Sequence, residues 1–316
     1  MIDLLPAIPK RPAEGHKGTF GTVLVVGGQT APPREGGRVM IGGPAFTALA
    51  ALRSGCGLAV LALPAPVLDA GLIVAPSATG LALPVDAQHR LRASEVADML
   101  DRHMGGVRCL AVGPGFGADE PQQQIIMRLL ARDETPIVLD ADGINALSLV
   151  RDFQADLRAP LVLTPHPGEY RRLAERLGIS ADPIEPSQRE VAALQLAQRL
   201  GCIVVLKGHR TVISDGASAF INETGGAALA TAGTGDVLTG IIASLIAQHY
   251  KPALGTGSRQ ITPYQQGGLS LLDCARLGVH LHGMAGDLWT GKHGSAGLLA
   301  SDLIEFIPAC LNQLRR

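Results

Sequence analysis

The sequence predicts an α/β fold with a mostly parallel central sheet, covered by helices and finished by antiparallel strands. Three observations predict it. Short apolar runs rich in β-branched residues alternate with longer segments of helical period. Those runs end at Gly, Pro, Asp or other polar residues, where the chain turns. Late in the series, two short runs flank Asp215-Gly216, the pattern of a β-hairpin. A chain of 316 residues is within the size of one α/β domain, and 1–316 reads as a single domain with surface insertions near 29–42 and 250–268.

In chain order, Thr22–Gly27 (TVLVVG) is the first strand, followed by a helix over Pro44–Ser54 that opens on proline and closes at Gly55. Leu58–Leu63, Cys109–Val112 and Ile137–Leu139 are the next strands. Leu161–Leu163 then runs into Thr164-Pro-His-Pro-Gly-Glu169, and Ile203–Leu206 runs into Lys207-Gly-His-Arg-Thr211. Thr211–Ser214 and Ser218–Ile221 form the hairpin, Val237–Gln248 a strongly apolar buried helix, and Leu271–Leu288 a second long helix. Gln29–Gly42 and Tyr250–Gly268 are rich in polar residues, Gly and Pro, as exposed loops are. In open parallel sheets ligands bind beyond the carboxyl ends of the strands, so the residues just after each run are the places to look for chemistry.

Composition narrows the function classes. The chain is 47% hydrophobic and 17% charged, enough apolar material for a core over most of its length. A formal net charge of −1 supplies no basic surface for nucleic acid or an anionic membrane, and three Tyr, one Trp and six Phe leave few platforms for stacked bases. Cys56, Cys109, Cys202, Cys274 and Cys310 are an odd number with no metal-ligand spacing, and read as reduced thiols. The N-terminus has no positive leader with an apolar core, and no apolar run reaches the ~18 residues of a membrane span. The expectation is a cytoplasmic protein whose ligands are small molecules.

Thr231-Ala-Gly-Thr-Gly-Asp236 stands before the helix that begins near Val237, so its small residues can bring backbone N–H groups of Ala232, Gly233, Thr234 and Gly235 to a helix N-terminus as an anion hole. Asp236 at that point either caps orphan amides or acts as a base beside a phosphate. The loop lacks the Gly-Lys-Ser/Thr ending of a Walker A motif, and no G-x-G-x-x-G opens a helix after the first strand. Gly113-Pro-Gly-Phe-Gly117 would let backbone approach a ligand closely, or simply make a turn. His166 is held between two prolines at a strand's carboxyl end, a rigid post for a ligand contact, while Glu169 in the first helical turn also suits the macrodipole alone. Lys207 and Arg210 place two cations in one loop, fitted to phosphates or a ribose edge, or to a solvated turn. Asp140-Ala-Asp142 with Asn145 either holds a metal–nucleotide or caps a helix, with capping the expectation for Asp142.

Taken in order, these motifs resemble the ADP/ATP-dependent NAD(P)H-hydrate dehydratase family of the ribokinase-like superfamily. The resemblance runs over roughly residues 14 to 310: His16-Lys-Gly-Thr-Phe-Gly21, Gly43-Pro-Ala-Phe46 with Ala51-Leu-Arg-Ser-Gly55, Val112-Gly-Pro-Gly115, Leu139-Asp-Ala-Asp142, Leu163-Thr-Pro-His-Pro-Gly-Glu169, Leu206-Lys-Gly-His-Arg-Thr211, Asn222-Glu-Thr-Gly225, Ala232-Gly-Thr-Gly-Asp236-Val-Leu-Thr-Gly240 and His280-Leu-His-Gly-Met-Ala-Gly-Asp287. The pairing of Thr-Pro-His-Pro-Gly-Glu with Gly-Thr-Gly-Asp is its most specific part. Departures are Pro44 where a small residue is expected, Gly226-Ala-Ala where Pro-Met is commoner, and a long Gln29–Gly42 loop.

The resemblance implies a ribokinase-like three-layer α/β/α fold and repair of damaged cofactor: NADHX or NADPHX is phosphorylated on its ring hydroxyl by ADP or ATP and loses phosphate, restoring NADH or NADPH. It implies that Ala45, Gly115, His166 and Asp236 line the hydrate pocket, that Lys207, Gly208, His209, Arg210, Thr211 and Gly235 hold the adenine nucleotide, and that Asp236 is the catalytic base. It further implies Mg2+ with ligands unknown, a homotetramer, and a separate NAD(P)H-hydrate epimerase as functional partner, since the epimerase domain often fused ahead of the dehydratase in bacteria has no counterpart here. A ribokinase-like kinase for a vitamin precursor or sugar shares Gly-Thr-Gly-Asp but usually lacks Thr-Pro-His-Pro-Gly-Glu. A nucleotide-binding regulator without chemistry is opposed by the intact Asp236.

Overall fold

The computed structural model describes residues 5–33, 36–251 and 268–315. Nine strands form one sheet: β1 (Thr22–Val26), β2 (Leu58–Pro64), β3 (Thr79–Leu83), β4 (Val107–Val112), β5 (Ile137–Leu139), β6 (Leu161–Leu163), β7 (Ile203–Leu206), β8 (Val212–Ser214) and β9 (Ala219–Ile221). Their spatial order is β3-β2-β1-β4-β5-β6-β7-β8-β9. All pairings from β3 to β7 are parallel, and β7-β8 and β8-β9 are antiparallel. The mixed topology and the hairpin are as expected. The turn is longer than Asp215-Gly216 alone, because Asp215 Oδ1 accepts from the amides of Ala217 and Ser218 and so ties a four-residue loop.

Two apolar layers sandwich the sheet, each a contiguous core. On one face pack α1 (Gly42–Arg53), α2 (Leu68–Val74), α8 (Thr234–His249), α9 (Leu271–His293) and α10 (Ala300–Leu314), against alternate strand residues such as Val23, Val25, Ala111, Val138 and Val205. On the other pack α3 (Ala93–His103), α4 (Glu120–Leu130), α5 (Asp142–Leu149), α6 (Pro167–Leu177) and α7 (Arg189–Leu200), against Leu24, Val26, Leu110, Leu139 and Val204. The alternation follows from strand geometry, in which successive side chains point to opposite faces. With both faces covered, the strands read as nearly continuous apolar runs.

Helix starts differ from expectation in one way that matters. The helix expected over Val237–Gln248 begins three residues earlier, at Thr234, with Gly233 (φ 89°) as its N-cap. Asp236 is therefore the third residue inside α8, and it makes no capping bond. The helix expected at Pro44 likewise starts at Gly42, and the one expected to end at Leu288 continues to His293. The Gln29–Gly42 insertion is closed at its base by an antiparallel bridge between Gln29 and Met40. Most of the Tyr250–Gly268 insertion, residues 252–267, lies outside the described residues, and Tyr250 pairs with Leu269 across its ends.

The chain leaves β1 toward β2 and β3 on one side and returns through β4 on the other, so β1 and β4 mark the topological switch point. Over that end, α8 lies closely on α1. A methyl on Gly240 would overlap the Thr47 carbonyl oxygen and come within 2.8 Å of Ala50 Cβ. Neither obstacle can rotate away. Gly240→Ala should therefore cost stability near the upper end of the overpacking range, about 3 kcal/mol, read as a lower urea midpoint at unchanged slope; an unchanged midpoint would mean that the two helices are not seated this closely.

Candidate active site

The site grows from residues at or just beyond the carboxyl ends of β5, β6 and β7. After β5, Asp140 is buried, and its two oxygens are both engaged: Lys207 Nζ lies 2.6 Å from Oδ1, and the Thr239 hydroxyl donates to Oδ2 at 2.7 Å. After β7, Lys207 reaches over to this pair, and Glu169 Oε2 lies 3.8 Å from the same ammonium. After β6, His166 starts α6 in a reciprocal cap. Its Nδ1 accepts from the amides of Gly168 (2.9 Å) and Glu169 (3.4 Å), while Glu169 Oε2 accepts from the His166 amide at 2.8 Å. With Nδ1 accepting, Nε2 carries the proton and faces Glu169 Oε1 at 3.2 Å. Burial, with the charges of Lys207 and Arg172, holds the His166 pKa below its ordinary value, in keeping with a neutral ring.

Asp236 approaches this cluster from the first turn of α8. Its carboxylate lies against α1, where a methyl on Gly43 would stand 3.0 Å from Oδ1. Its carbonyl oxygen accepts from the Thr47 hydroxyl at 3.0 Å, and the same hydroxyl lies 3.0 Å from the Gly43 carbonyl. Burial, then the negative charge of Asp140, raises the Asp236 pKa to about 7, against the pull of Lys207. Glu169 is raised to about 7 by burial, with Lys207 again opposing. For Lys207, burial works against the charge, but Asp140 and Glu169 outweigh it and raise its pKa. One lysine thus serves several carboxylates, and Asp236 is left near half-ionised at neutral pH. That is the state suited to a general base.

The remaining expected residues fall into two groups. Lys207, Gly208, His209, Arg210, Thr211, Thr234 and Gly235 line a single cavity of about 570 Å³, closed by the Asn222–Ala230 loop and by Leu238, Val279, His282 and Gly283. Ala232 and Gly233 are not among its lining residues; Gly233 instead backs onto Ala300 and the Phe46 ring. Ala45, expected to line the hydrate pocket, is fully buried in α1, and Gly115 (φ 59°) is buried and pressed against Met40; neither lines this cavity. No hydrogen bond joins Ala45, Gly115 and His166 to one another among the described residues.

Asp142, expected to cap a helix, instead holds the Gly113–Gly117 turn: its Oδ2 accepts from the Gly117 amide at 3.0 Å. Asp140, which had been open between metal and cap, is the counter-ion of Lys207. Among the described residues no group of three His, Cys, Asp or Glu side chains is arranged to hold a metal ion. Residues the sequence did not single out complete the cavity. Leu229, Leu238 and Val279 carry no local signal of a cavity, because they become neighbours only when α8, α9 and the Asn222–Ala230 loop pack together. Among the described helices, none is long and apolar enough to cross a membrane.

Comparison with known proteins identifies the family and the fold. A family model described as NAD(P)H-hydrate dehydratase matches residues 35–309. The bifunctional NAD(P)H-hydrate repair enzyme of Moorella thermoacetica is 37% identical over 309 residues, 97% of this chain; the chain spans about half (52%) of that relative's length. The ADP-dependent (S)-NAD(P)H-hydrate dehydratase of Bacillus subtilis is 33% identical over 95% of this chain and 92% of its own. A crystal structure of the Bacillus subtilis ADP/ATP-dependent NAD(P)H-hydrate dehydratase, co-crystallised with ATP/Mg2+, superposes with a TM-score of 0.73 at 28% identity, over 98% of this chain and 95% of that one. The three-layer architecture with its antiparallel edge is that of ribokinase-like proteins, and the chain belongs to the NAD(P)H-hydrate dehydratase family.

Proposed function

We propose that this protein dehydrates NADHX and NADPHX at the expense of ADP, or of ATP in its place, restoring NADH and NADPH. The observation that carries the reading is Asp236. It is a half-buried carboxylate with its pKa raised to about 7, in the first turn of α8 next to Gly235, which lines a nucleotide-sized cavity. The family relationship supports the substrate class, and the Bacillus subtilis relative named as ADP-dependent supports ADP as donor.

In this reading the nucleotide occupies the cavity, with its base against Leu229, Leu238 and Val279 and its phosphates toward Lys207 and the first amides of α8. The hydrate lies on the far side, near Ala45, Gly115 and His166, with its ring hydroxyl at Asp236. Asp236 takes the hydroxyl proton as the oxygen attacks the terminal phosphorus; the new O–P bond forms, the bridging P–O bond breaks, and AMP leaves when ADP is the donor. The amides of Thr234 and Gly235 meet the charge on the transferring group. The ring nitrogen then pushes out phosphate with the C–O bonding pair, and loss of a proton from the neighbouring carbon leaves the reduced nicotinamide. A magnesium ion would neutralise phosphate charge. Phosphate oxygens and water would supply most of its ligands, since this chain has no dedicated cage among its described residues.

The direct test is to incubate the protein with NADH hydrate plus ADP or ATP and follow recovery of NADH absorbance. No recovery with either nucleotide, or a stable phosphorylated product, would move the assignment to a small-molecule kinase. Asp236→Asn should lower kcat by about 10³-fold while leaving ADP binding largely intact; unchanged turnover would remove Asp236 as the base.

The pH dependence has two signs. As a base Asp236 works ionised, so kcat should rise through about pH 7. For stability the direction reverses: the folded state keeps a proton that the unfolded chain releases near the ordinary carboxylate pKa of about 4. The stabilisation is complete below about pH 4 and is lost as pH climbs to about 7. Urea midpoints should therefore fall less between acid and neutral pH in Asp236→Asn than in the wild type.

On the nucleotide side, Arg210→Ala should raise the KM for ADP more than the KM for the hydrate, with little change in stability because Arg210 is exposed. Lys207→Ala should show the same KM bias, and in addition a lower melting temperature from the stranded, buried Asp140. A larger effect on the hydrate would mean that the two half-sites are exchanged.

A further inference from the structure

The stretch of α9 from Gly278 to Asp287, which includes His280-Leu-His-Gly-Met-Ala-Gly-Asp287, has no part in the chemistry above, yet it spends helix stability on small residues. Gly278, Gly283 and Gly286 each cost about 1 kcal/mol relative to alanine inside a helix. Each has a neighbour that a methyl would strike. On Gly278 it would come 2.6 Å from Ile242 Cγ1 of α8, on Gly283 it would overlap the Thr224 hydroxyl, and on Gly286 it would come 2.8 Å from Leu229 Cγ. Two of the three therefore exist for close approach to one loop, Asn222–Ala230, which walls the nucleotide cavity.

Polar contacts hold the same loop. The Gly225 amide, at a turn with φ 87°, donates to Asp287 Oδ2 at 2.9 Å. The Thr224 hydroxyl lies 3.0 Å from the His280 carbonyl and 3.1 Å from Asn222 Oδ1, two acceptors for its one proton. Two residues along the helix from His280, His282 reaches the opposite wall, where Nε2–H donates to the Thr234 carbonyl at 2.9 Å, on the first residue of α8. Burial pushes the His282 pKa down to about 4, so this donor is a neutral ring at any working pH. The walls also touch directly, since the Thr234 hydroxyl lies 2.8 Å from the Leu229 carbonyl.

We infer that Asp287 and His282 are positioning residues for the nucleotide: one helix holds the base-side loop through Asp287 and the phosphate-side start of α8 through His282, and thereby sets the width of the cavity. The inference rests on the reading of that cavity as the nucleotide site. Neither residue takes part in proton or phosphoryl transfer. Their loss should weaken nucleotide binding more than hydrate binding, because Asp236 is the one expected hydrate residue on α8, while Ala45, Gly115 and His166 belong to α1, the turn after β4 and the start of α6.

The test is calorimetric titration of the full-length protein with ADP, alongside KM values for ADP and for NADH hydrate. Asp287→Ala and His282→Leu should each raise the Kd for ADP about 10-fold or more, the scale of one hydrogen bond lost at a charged or buried partner. Asp287→Asn keeps an acceptor for the Gly225 amide and His282→Gln keeps a donor for Thr234, so both should stay within about 3-fold of wild type, with the hydrate KM moving less than the Kd for ADP in every variant. If Asp287→Ala does not fold, Thr224→Val removes one anchor of the same loop and should show the same selective loss. Wild-type affinity for ADP in the alanine, leucine or valine variants overturns the inference, as does a parallel loss of ADP and hydrate affinity. Failure of the wild type to bind ADP would overturn the nucleotide assignment and the inference with it.

Discussion

The close seating of α8 on α1 is the constraint on which the rest depends. Gly240 lets the helices meet with the Thr47 carbonyl in van der Waals contact, and Thr47 returns a hydrogen bond to the Asp236 carbonyl. This brings the first turn of α8 over the strand ends and presses the Asp236 carboxylate against Gly43. Water is thereby excluded from one side of the carboxylate, and that desolvation is the largest cause of its raised pKa. Packing between two apolar helices and the protonation state of a candidate base are consequences of the same contact.

The charges around Asp236 work by mutual compensation. Asp140 alone would be an expensive buried anion; with Lys207 and Thr239 on its two oxygens it is satisfied, and it carries the lysine to the mouth of the cavity. Glu169 is committed to capping α6 with His166. Asp236 is left as the carboxylate with the weakest claim on the one ammonium. A site of this kind separates a structural ion pair from a poised carboxylate through geometry, with no change in residue type.

Legibility varied with the range of the interaction. The Thr-Pro-His-Pro-Gly-Glu stretch shows its strand-to-helix turn locally, since proline spacing and an acid three residues past the cap are features of six consecutive residues. The start of α8 was misplaced because Thr-Gly-Asp reads as turn chemistry, whereas the helix reaches back to Thr234 once His282 and the Leu229 carbonyl hold that residue. Asp142 reads as a cap and is instead a strut for the Gly117 turn, twenty-five residues earlier. Nothing local distinguishes the two roles.

By itself the sequence determined the alternation of strands and helices, the antiparallel finish, and the strand-end loops that supply the candidate site, because periodicity and turn residues act over a few positions. Tertiary structure decided which of the charged residues became partners and which remained poised. Asp140, Lys207, Glu169 and Asp236 come from four different elements or loops, and the raised pKa values of Lys207, Glu169 and Asp236 depend on burial and distances that exist only after the sheet has ordered the strand ends. The apolar walls of the cavity are of the same kind, because Leu229, Leu238 and Val279 are ordinary core residues until α8, α9 and the Asn222–Ala230 loop close around one space.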